Sequence, residues 1–113
     1  MSGVSQILAI KALDGLHLRA IAIAENIANS GSATFKARSV DFEAGLREAA
    51  AAGVPAIQAY KPSISTEAAL MRGDDVRLDL EMASASETAL RYAALTDILN
   101  RQMQISRLAV RGQ

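Results

Sequence analysis

A chain of 113 residues forms one domain at most, and its 23 alanines leave it a modest supply of bulky apolar side chains for a core. Its 12 basic and 12 acidic residues balance, which argues against nucleic acid as a partner, because neutralising phosphates needs a surplus of Lys and Arg. Cysteine is absent, which excludes disulfides and thiolate metal sites.

The first predicted element is a helix over residues 5–30. Alanine is the best helix former, and apolar residues recur at three- and four-residue spacing through Ala9, Leu13, Leu16, Ala20, Ile23 and Ile27. A second apolar stripe runs beside the first, through Ile7, Ile10, Ile21, Ala24 and Ala28. Gly31 is expected to cap the C-terminus of this helix.

The middle of the chain, residues 31–73, has a weaker pattern. A short helix is predicted near residues 41–52, with Asp41 as a candidate N-cap and with Gly53 and Pro55 stopping it. The next part of the chain indicates an extended segment, which includes Ile57, Ala59 and Ile64. One helical turn is then predicted over Glu67–Met71.

The last predicted element is a longer helix over residues 75–111. Its main apolar stripe keeps three- and four-residue spacing through Met82, Ala85, Ala89, Tyr92, Thr96, Leu99, Met103, Ser106 and Val110. Further apolar residues widen this face, so the helix is expected to meet more than one neighbour: Leu95, Ile98, Ile105 and Ala109.

The charges of this last helix follow its dipole. Carboxylates lie at its start and arginines at its end: Asp74, Asp75, Asp79 and Glu81, then Arg101, Arg107 and Arg111. Glu87–Arg91 and Asp97–Arg101 have the spacing of favourable ion pairs along a helix. Capping and dipole compensation account for the acidic cluster, which lacks the spacing of a calcium-binding loop.

The predicted fold is therefore mainly all-α, with long N- and C-terminal helices paired as a coiled-coil-like hairpin around a short helix and an irregular or extended middle. Such a hairpin buries one stripe on each helix and leaves the flanking stripes exposed, and exposed apolar stripes on a small neutral protein indicate interfaces. The longest apolar run, Ala20–Ala24, is far too short to span a membrane. Residue patterns alone thus predict a helical assembly module.

Two stretches carry a family resemblance. The first reads Asn26-Ile27-Ala28-Asn29 at the end of the first helix and continues, after Phe35, into Ala37-Arg38-Ser39-Val40-Asp41-Phe42. The second runs from Gly73-Asp74-Asp75-Val76 to Ala89-Leu90-Arg91-Tyr92. Together they resemble the FlgB family of proximal-rod subunits of the bacterial flagellum. The chain departs from that family in having Ser32-Ala33-Thr34-Phe35 where a Pro-Gly turn is usual, and in having a short middle region.

The resemblance implies a single rod-type domain over residues 1–113 that acts as a structural subunit, with no catalysis and no cofactor. It implies export by the flagellar type III apparatus without a Sec leader, and assembly in the periplasmic rod of the basal body. The implied partners are copies of the chain, other rod subunits, the adapter at the rod base, and the export gate and membrane ring. No nucleic acid, direct membrane span or small-molecule substrate is expected.

Two alternatives stay open at this point, and a third is disfavoured by the charges of the first helix. The chain resembles axial proteins generally, so a different rod component is the nearest alternative. A soluble helical adapter that docks one partner helix would instead form a discrete complex of low order. A membrane-surface helix needs a cationic polar face, which the first helix does not supply because Asp14 and Glu25 offset Lys11 and Arg19.

The candidate interface combines the apolar stripes with the family motifs. With the resemblance, Asn26 and Asn29 are expected to make amide hydrogen bonds across a subunit contact. The lone His17 lacks convergent partners for metal binding or acid–base chemistry, and is expected at the surface or in an interface. The candidate interface residues are Leu13, Leu16, Ala20, Ile23, Asn26, Ile27, Asn29, Phe35, Phe42, Met82, Leu90, Arg91, Tyr92, Leu95, Leu99 and Met103.

Overall fold

A computed structural model describes residues 3–32, 34–66 and 78–112. The described elements, in chain order, are α1 (Gly3–Ala28), β1 (Ser39–Asp41), α2 (Glu43–Ala52), α3 (Val54–Ala59), β2 (Ser63–Ser65) and α4 (Leu78–Arg111). The prediction of a mainly helical fold with long terminal helices is confirmed. The molecule is elongated, at 62 × 27 × 14 Å.

Helix α1 ends without the expected glycine cap. The backbone N–H of Ser30 donates to the carbonyl of Ile27 at 3.3 Å, and that of Ser32 donates to the carbonyl of Asn29 at 3.0 Å. Within the described residues, Gly53 is the glycine with positive φ, and Gly31 does not adopt that conformation. The prediction of Gly31 as a left-handed C-cap is therefore wrong, because tight turns close the last carbonyls of the helix instead.

Helix α4 is described from Leu78 onward. The predicted start at residue 75, the carboxylates Asp74 and Asp75, and the helical turn proposed for Glu67–Met71 lie outside the described residues. Both predicted ion pairs are present: Arg91 Nη2 lies 2.8 Å from Glu87 Oε1, and Arg101 Nε lies 3.0 Å from Asp97 Oδ2. The amide of Gly112 closes the helix on the carbonyl of Leu108 at 2.9 Å.

The two long helices pair in antiparallel fashion. The end of α1 meets the start of α4, where Asn26 bonds to Glu81, and further along both Leu8 and Leu95 pack on the core. Thr88 is the buried residue of α4, whereas Tyr92 is 41% exposed. The predicted main stripe, with Tyr92 at its middle, therefore lies toward the flank of the contact with α1 and not at its centre.

The middle region packs against one side of this hairpin. Strands β1 and β2 pair antiparallel, with Val40 opposite Ile64. The extended conformation expected around Ile64 is present, but Ile57 and Ala59 lie in helix α3, so that part of the prediction is wrong. Ile57 is fully buried, and its burial by tertiary contacts explains why a weak local pattern still forms a helix.

Helix α2 starts differently from the prediction. Phe42 occupies the N-cap position and makes no side-chain capping bond, while Asp41 belongs to β1. The assignment of Asp41 as N-cap is therefore wrong, because strand pairing fixes its backbone. Gly53, with φ of 113°, separates α2 from α3 in a conformation that other residues rarely adopt.

The core lies where the middle region meets α1. Its buried members are Leu16, Ala22, Val40, Phe42, Leu46, Ala49 and Ile57. Phe42 reaches α1 because Gly15 has no side chain, and Tyr60 reaches α2 because Gly45 has none. The hydroxyl of Tyr60 then donates to the carbonyl of Phe42 at 3.1 Å, which satisfies a polar group at the edge of the core.

Candidate subunit interface

The side chain of Asn26 joins three parts of the same subunit. Its Nδ2 donates to the carbonyl of Arg38 at 2.8 Å and to Glu81 Oε2 at 3.2 Å, and its Oδ1 accepts the N–H of Arg38 at 2.9 Å. The residue is 1% exposed. The amide therefore pairs with the backbone of Arg38 as a neighbouring strand would, and ties the chain after the turn to both long helices.

A charged network lies on the side of the hairpin that carries the middle region. The guanidinium of Arg19 pairs with both oxygens of Glu43, with Nη1 at 2.9 Å from Oε2. It also donates to the carbonyl of Val40 at 2.8 Å and lies over the ring of Phe42, 4.7 Å from the centroid. Arg91 of α4 approaches Glu43 at 3.4 Å. Glu43 thus connects α2 to both long helices.

The pairing with Arg19 holds the pKa of Glu43 at about 2, below its ordinary value of 4.5, because the guanidinium hydrogen bond stabilises the carboxylate. The same hydrogen bond raises the pKa of Arg19. Because the unfolded chain binds a proton at Glu43 more readily than the folded chain does, the contribution of this carboxylate is complete above pH 4.5 and disappears as pH falls toward 2.

We expect the Glu43→Gln variant to be less stable than the wild type at neutral pH, by about 1 kcal/mol because solvent screens this half-exposed group. The difference is expected to shrink as pH falls from 4.5 to 2. Urea denaturation followed by circular dichroism across this range measures it. Glu48→Gln, on the exposed side of α2, is the matched control. A difference between Glu43→Gln and wild type that does not change with pH would contradict the assignment.

An apolar groove runs between α1 and α4 on the hairpin's surface. Its volume is about 400 Å³. Its lining residues are Leu16, His17, Ala20, Ile23, Ala24, Ile27, Ala85, Thr88, Ala89, Tyr92 and Ala93. Five of them are alanines, and such small side chains allow a neighbouring helix to approach closely. The groove therefore gathers part of the predicted interface into one concave surface.

The C-terminal part of α4 forms a second apolar surface. Every residue over 103–112 is exposed, and this segment is called the overhang below. Its large apolar residues are Met103, Ile105, Leu108 and Val110, and the last of these is 78% exposed. Helical apolar side chains left in water over ten residues are typical of an interface.

The structure divides the candidate interface residues by burial. The buried ones, which pack within the subunit, are Leu16, Ile23, Asn26 and Phe42. The half-buried ones are Leu13, Ile27, Phe35, Leu95 and Leu99. The exposed ones are Ala20, Asn29, Met82, Leu90, Arg91, Tyr92 and Met103. The Nδ2 of Asn29 donates a hydrogen bond to the backbone carbonyl of Glu25 at 2.8 Å, as a side chain at a helix end often does.

Sequence reasoning missed the residues that act across long stretches of chain. Gly15, Arg19 and Glu43 were not singled out, although they join α1 to the middle region. A glycine within an otherwise alanine-rich helix is the signal available for Gly15, since it costs helix stability unless close packing needs it. His17 lines the groove, and the described residues contain no cluster of His, Asp and Glu able to hold a metal ion.

Among the described helices, none is long and apolar enough to cross a membrane. No protein-family model matches the chain. Curated proteins from Cereibacter sphaeroides do match, and each is described as flagellar basal body rod protein FlgB. Two of these are each 28% identical over 123 aligned positions, which cover 88% of this chain and 94% of the relative.

The alignment contains gaps in this chain, because 88% of 113 residues is fewer than the 123 aligned positions. The similarity nevertheless extends over almost the full length of the relatives, so it covers both long helices and not one short motif. Together with the motifs near each end of the sequence, these matches support the assignment of the chain as a divergent member of the FlgB family.

Proposed function

We propose that the chain is a structural subunit of the proximal rod of the bacterial flagellar basal body, and that it self-assembles through its terminal helices into the axial drive shaft. The similarity to proteins described as flagellar basal body rod protein FlgB supports the rod. The observation that carries self-assembly is the apolar surface of α4, where Leu90 is 72% exposed and the overhang is exposed throughout.

The shape and charge of the subunit also support this role. The molecule is 62 Å along its longest axis, and such an elongated subunit can make extensive side-to-side contacts in a shaft. The formal net charge of zero means that copies do not repel one another as a highly charged protein would. No catalytic role is proposed, and no cofactor is needed for a function that rests on packing.

The proposal includes a location and a set of partners. The subunit is exported by the flagellar type III apparatus and assembles in the periplasm at the base of the rod. There it contacts copies of itself, other rod subunits, the rod-base adapter, and the export gate with its membrane ring. A different rod component would share most of these features, whereas a soluble adapter would form a discrete complex.

The test is deletion of the gene in the source organism, scored by swimming and by electron microscopy of isolated basal bodies. We expect swimming and rods to be lost, and to be restored by the wild-type gene. Leu90→Asp is expected to leave swimming at the level of the deletion, because it places a charge on an exposed apolar surface without entering the core. Asn100→Asp, at an exposed polar position of the same helix, is the matched control and is expected to restore swimming.

Circular dichroism of both purified variants separates an interface effect from misfolding. Intact rods and normal swimming in the deletion strain would contradict the rod assignment. Full swimming with Leu90→Asp would leave the rod assignment in place and would contradict the use of this surface.

A further inference from the structure

The overhang continues the side of α4 that flanks the contact with α1 and borders the groove. Met103, Ser106 and Val110 follow Leu99 at spacings of four, three and four residues, which keeps them on the same side of the helix. Leu99 is half-buried, but from Met103 onward this face is exposed. The hydroxyl of Ser106 donates to the carbonyl of Gln102 at 3.0 Å, so its hydrogen bond is already made and does not oppose burial.

The groove is longer than this stripe and can hold all of it. Between Leu16 and Ile27 of α1 the groove extends over roughly 16 Å at 1.5 Å per residue. The stripe from Met103 to Val110 spans roughly 10 Å on the same measure. A volume of about 400 Å³ accommodates a few side chains of this size, and the alanines of both walls let the helix that carries them come close.

One molecule cannot fill its own groove with its own overhang. Both surfaces belong to the continuous helix α4, where Val110 lies about 27 Å beyond Tyr92 of the groove at 1.5 Å per residue. The groove is near the closed end of the hairpin and the overhang is at the open end. A contact between a groove and an overhang therefore joins two different copies. The resulting pair still has a free groove at one end and a free overhang at the other.

The charges along α4 favour the same arrangement. Leu78–Leu90 contains Asp79, Glu81 and Glu87 and no basic residue, whereas the part after Asp97 contains three arginines and no acidic residue. When copies stack head to tail, the basic overhang of one lies beside the acidic start of α4 in the next. Such complementarity orients association.

We propose that the overhang of one copy inserts Met103 and Val110 into the groove of a second copy of this chain, in a head-to-tail contact that does not close. This inference rests on the proposed function and names the partner and the surfaces of self-assembly. The helix that occupies the groove is thus α4 of the first copy. One wall of that groove is formed by α4 of the second copy. Because the contact is heterologous, repetition generates a filament and not a symmetric dimer.

The test uses disulfide crosslinking, for which the chain is suited because it contains no cysteine. The full-length Ala89→Cys/Val110→Cys variant places one thiol in the groove and one on the overhang. On oxidation at high protein concentration, we expect a ladder of linked dimers, trimers and longer species on a non-reducing gel. The Ala89→Cys/Ile105→Cys variant is the control, since Ile105 lies on another side of the overhang, and we expect at least a tenfold lower yield of linked species.

Each other outcome overturns the proposal. Linked dimers that do not extend indicate a closed symmetric pair. Equal ladders from both variants indicate random collision, and stronger linking through Ile105 shows that another side of α4 makes the contact. Absence of any linked species shows that copies of this chain do not meet through the groove, yet it leaves the rod role standing, because swimming and basal-body structure test that role separately.

Discussion

Gly15→Ala is expected to destabilise the protein by about 1–3 kcal/mol, although alanine is normally the better helix residue. A Cβ at this position would lie 2.5 Å from Cγ and Cδ1 of Phe42, far inside van der Waals contact. The ring has little freedom to move because Phe42 is buried and lies under the guanidinium of Arg19. Thermal and urea unfolding followed by circular dichroism measure the change.

Gly3→Ala is the matched control, because it lies on the same helix and a Cβ there would meet nothing within 4 Å. That variant is expected to be as stable as the wild type or slightly more stable. The Gly15→Ala penalty is also expected to shrink in a Phe42→Leu background, since a smaller side chain relieves the clash. A Gly15→Ala protein that melts at or above the wild-type temperature would show that Phe42 does not pack on this helix.

The long helices were predictable because their signals are local. Three- and four-residue spacing of apolar residues, a high alanine content and paired charges such as Glu87 and Arg91 all act within one or two helical turns. The orientation of α4 was not predictable in this way. Thr88 is buried and Tyr92 is not because of how α4 packs against α1, and residue spacing within α4 does not reveal that orientation.

The middle region was harder to predict for the same reason. The helical conformation around Ile57 depends on its burial in a core built from α1, β1 and α2. Strand β1 is three residues long and exists through its pairing with β2, more than twenty residues later. Neither interaction has a periodic signature in the sequence, because each joins residues that are far apart along the chain and meet only in the folded structure.

The candidate interface stays a prediction, and the structure gives the surfaces on which its residues lie. The stripes of both helices supply the walls of the groove, and Leu90 and Met103 are exposed. The groove itself depends on the distance between α1 and α4, and residue patterns in the sequence do not reveal that distance. The overhang likewise depends on how far α4 extends past α1, and that depends on which residues pair across the hairpin.

The remaining prediction concerns Asn26, whose amide was assigned to a contact between subunits. Inside the subunit its two donors and its acceptor are all used, by the backbone of Arg38 and by Glu81. We expect Asn26→Ala to lower the free energy of unfolding by about 2–4 kcal/mol, because it leaves the N–H and C=O of Arg38 without this partner. Urea denaturation measures this loss, and hydrogen exchange at the Arg38 amide is expected to accelerate in parallel.

Asn26→Asp sharpens the test, because it keeps the shape of the side chain and changes only its chemistry. The carboxylate still accepts from the N–H of Arg38, but it cannot donate to the carbonyl of Arg38 and it places a negative charge beside Glu81. We expect it to be at least as destabilising as Asn26→Ala at neutral pH. Asn29→Ala, which removes one exposed bond to Glu25, is expected to change stability by less than about 0.5 kcal/mol. Equal, small losses of stability at both positions would mean that the amide of Asn26 does not stabilise the contact with Arg38. The amide would then be free to bind a neighbouring subunit.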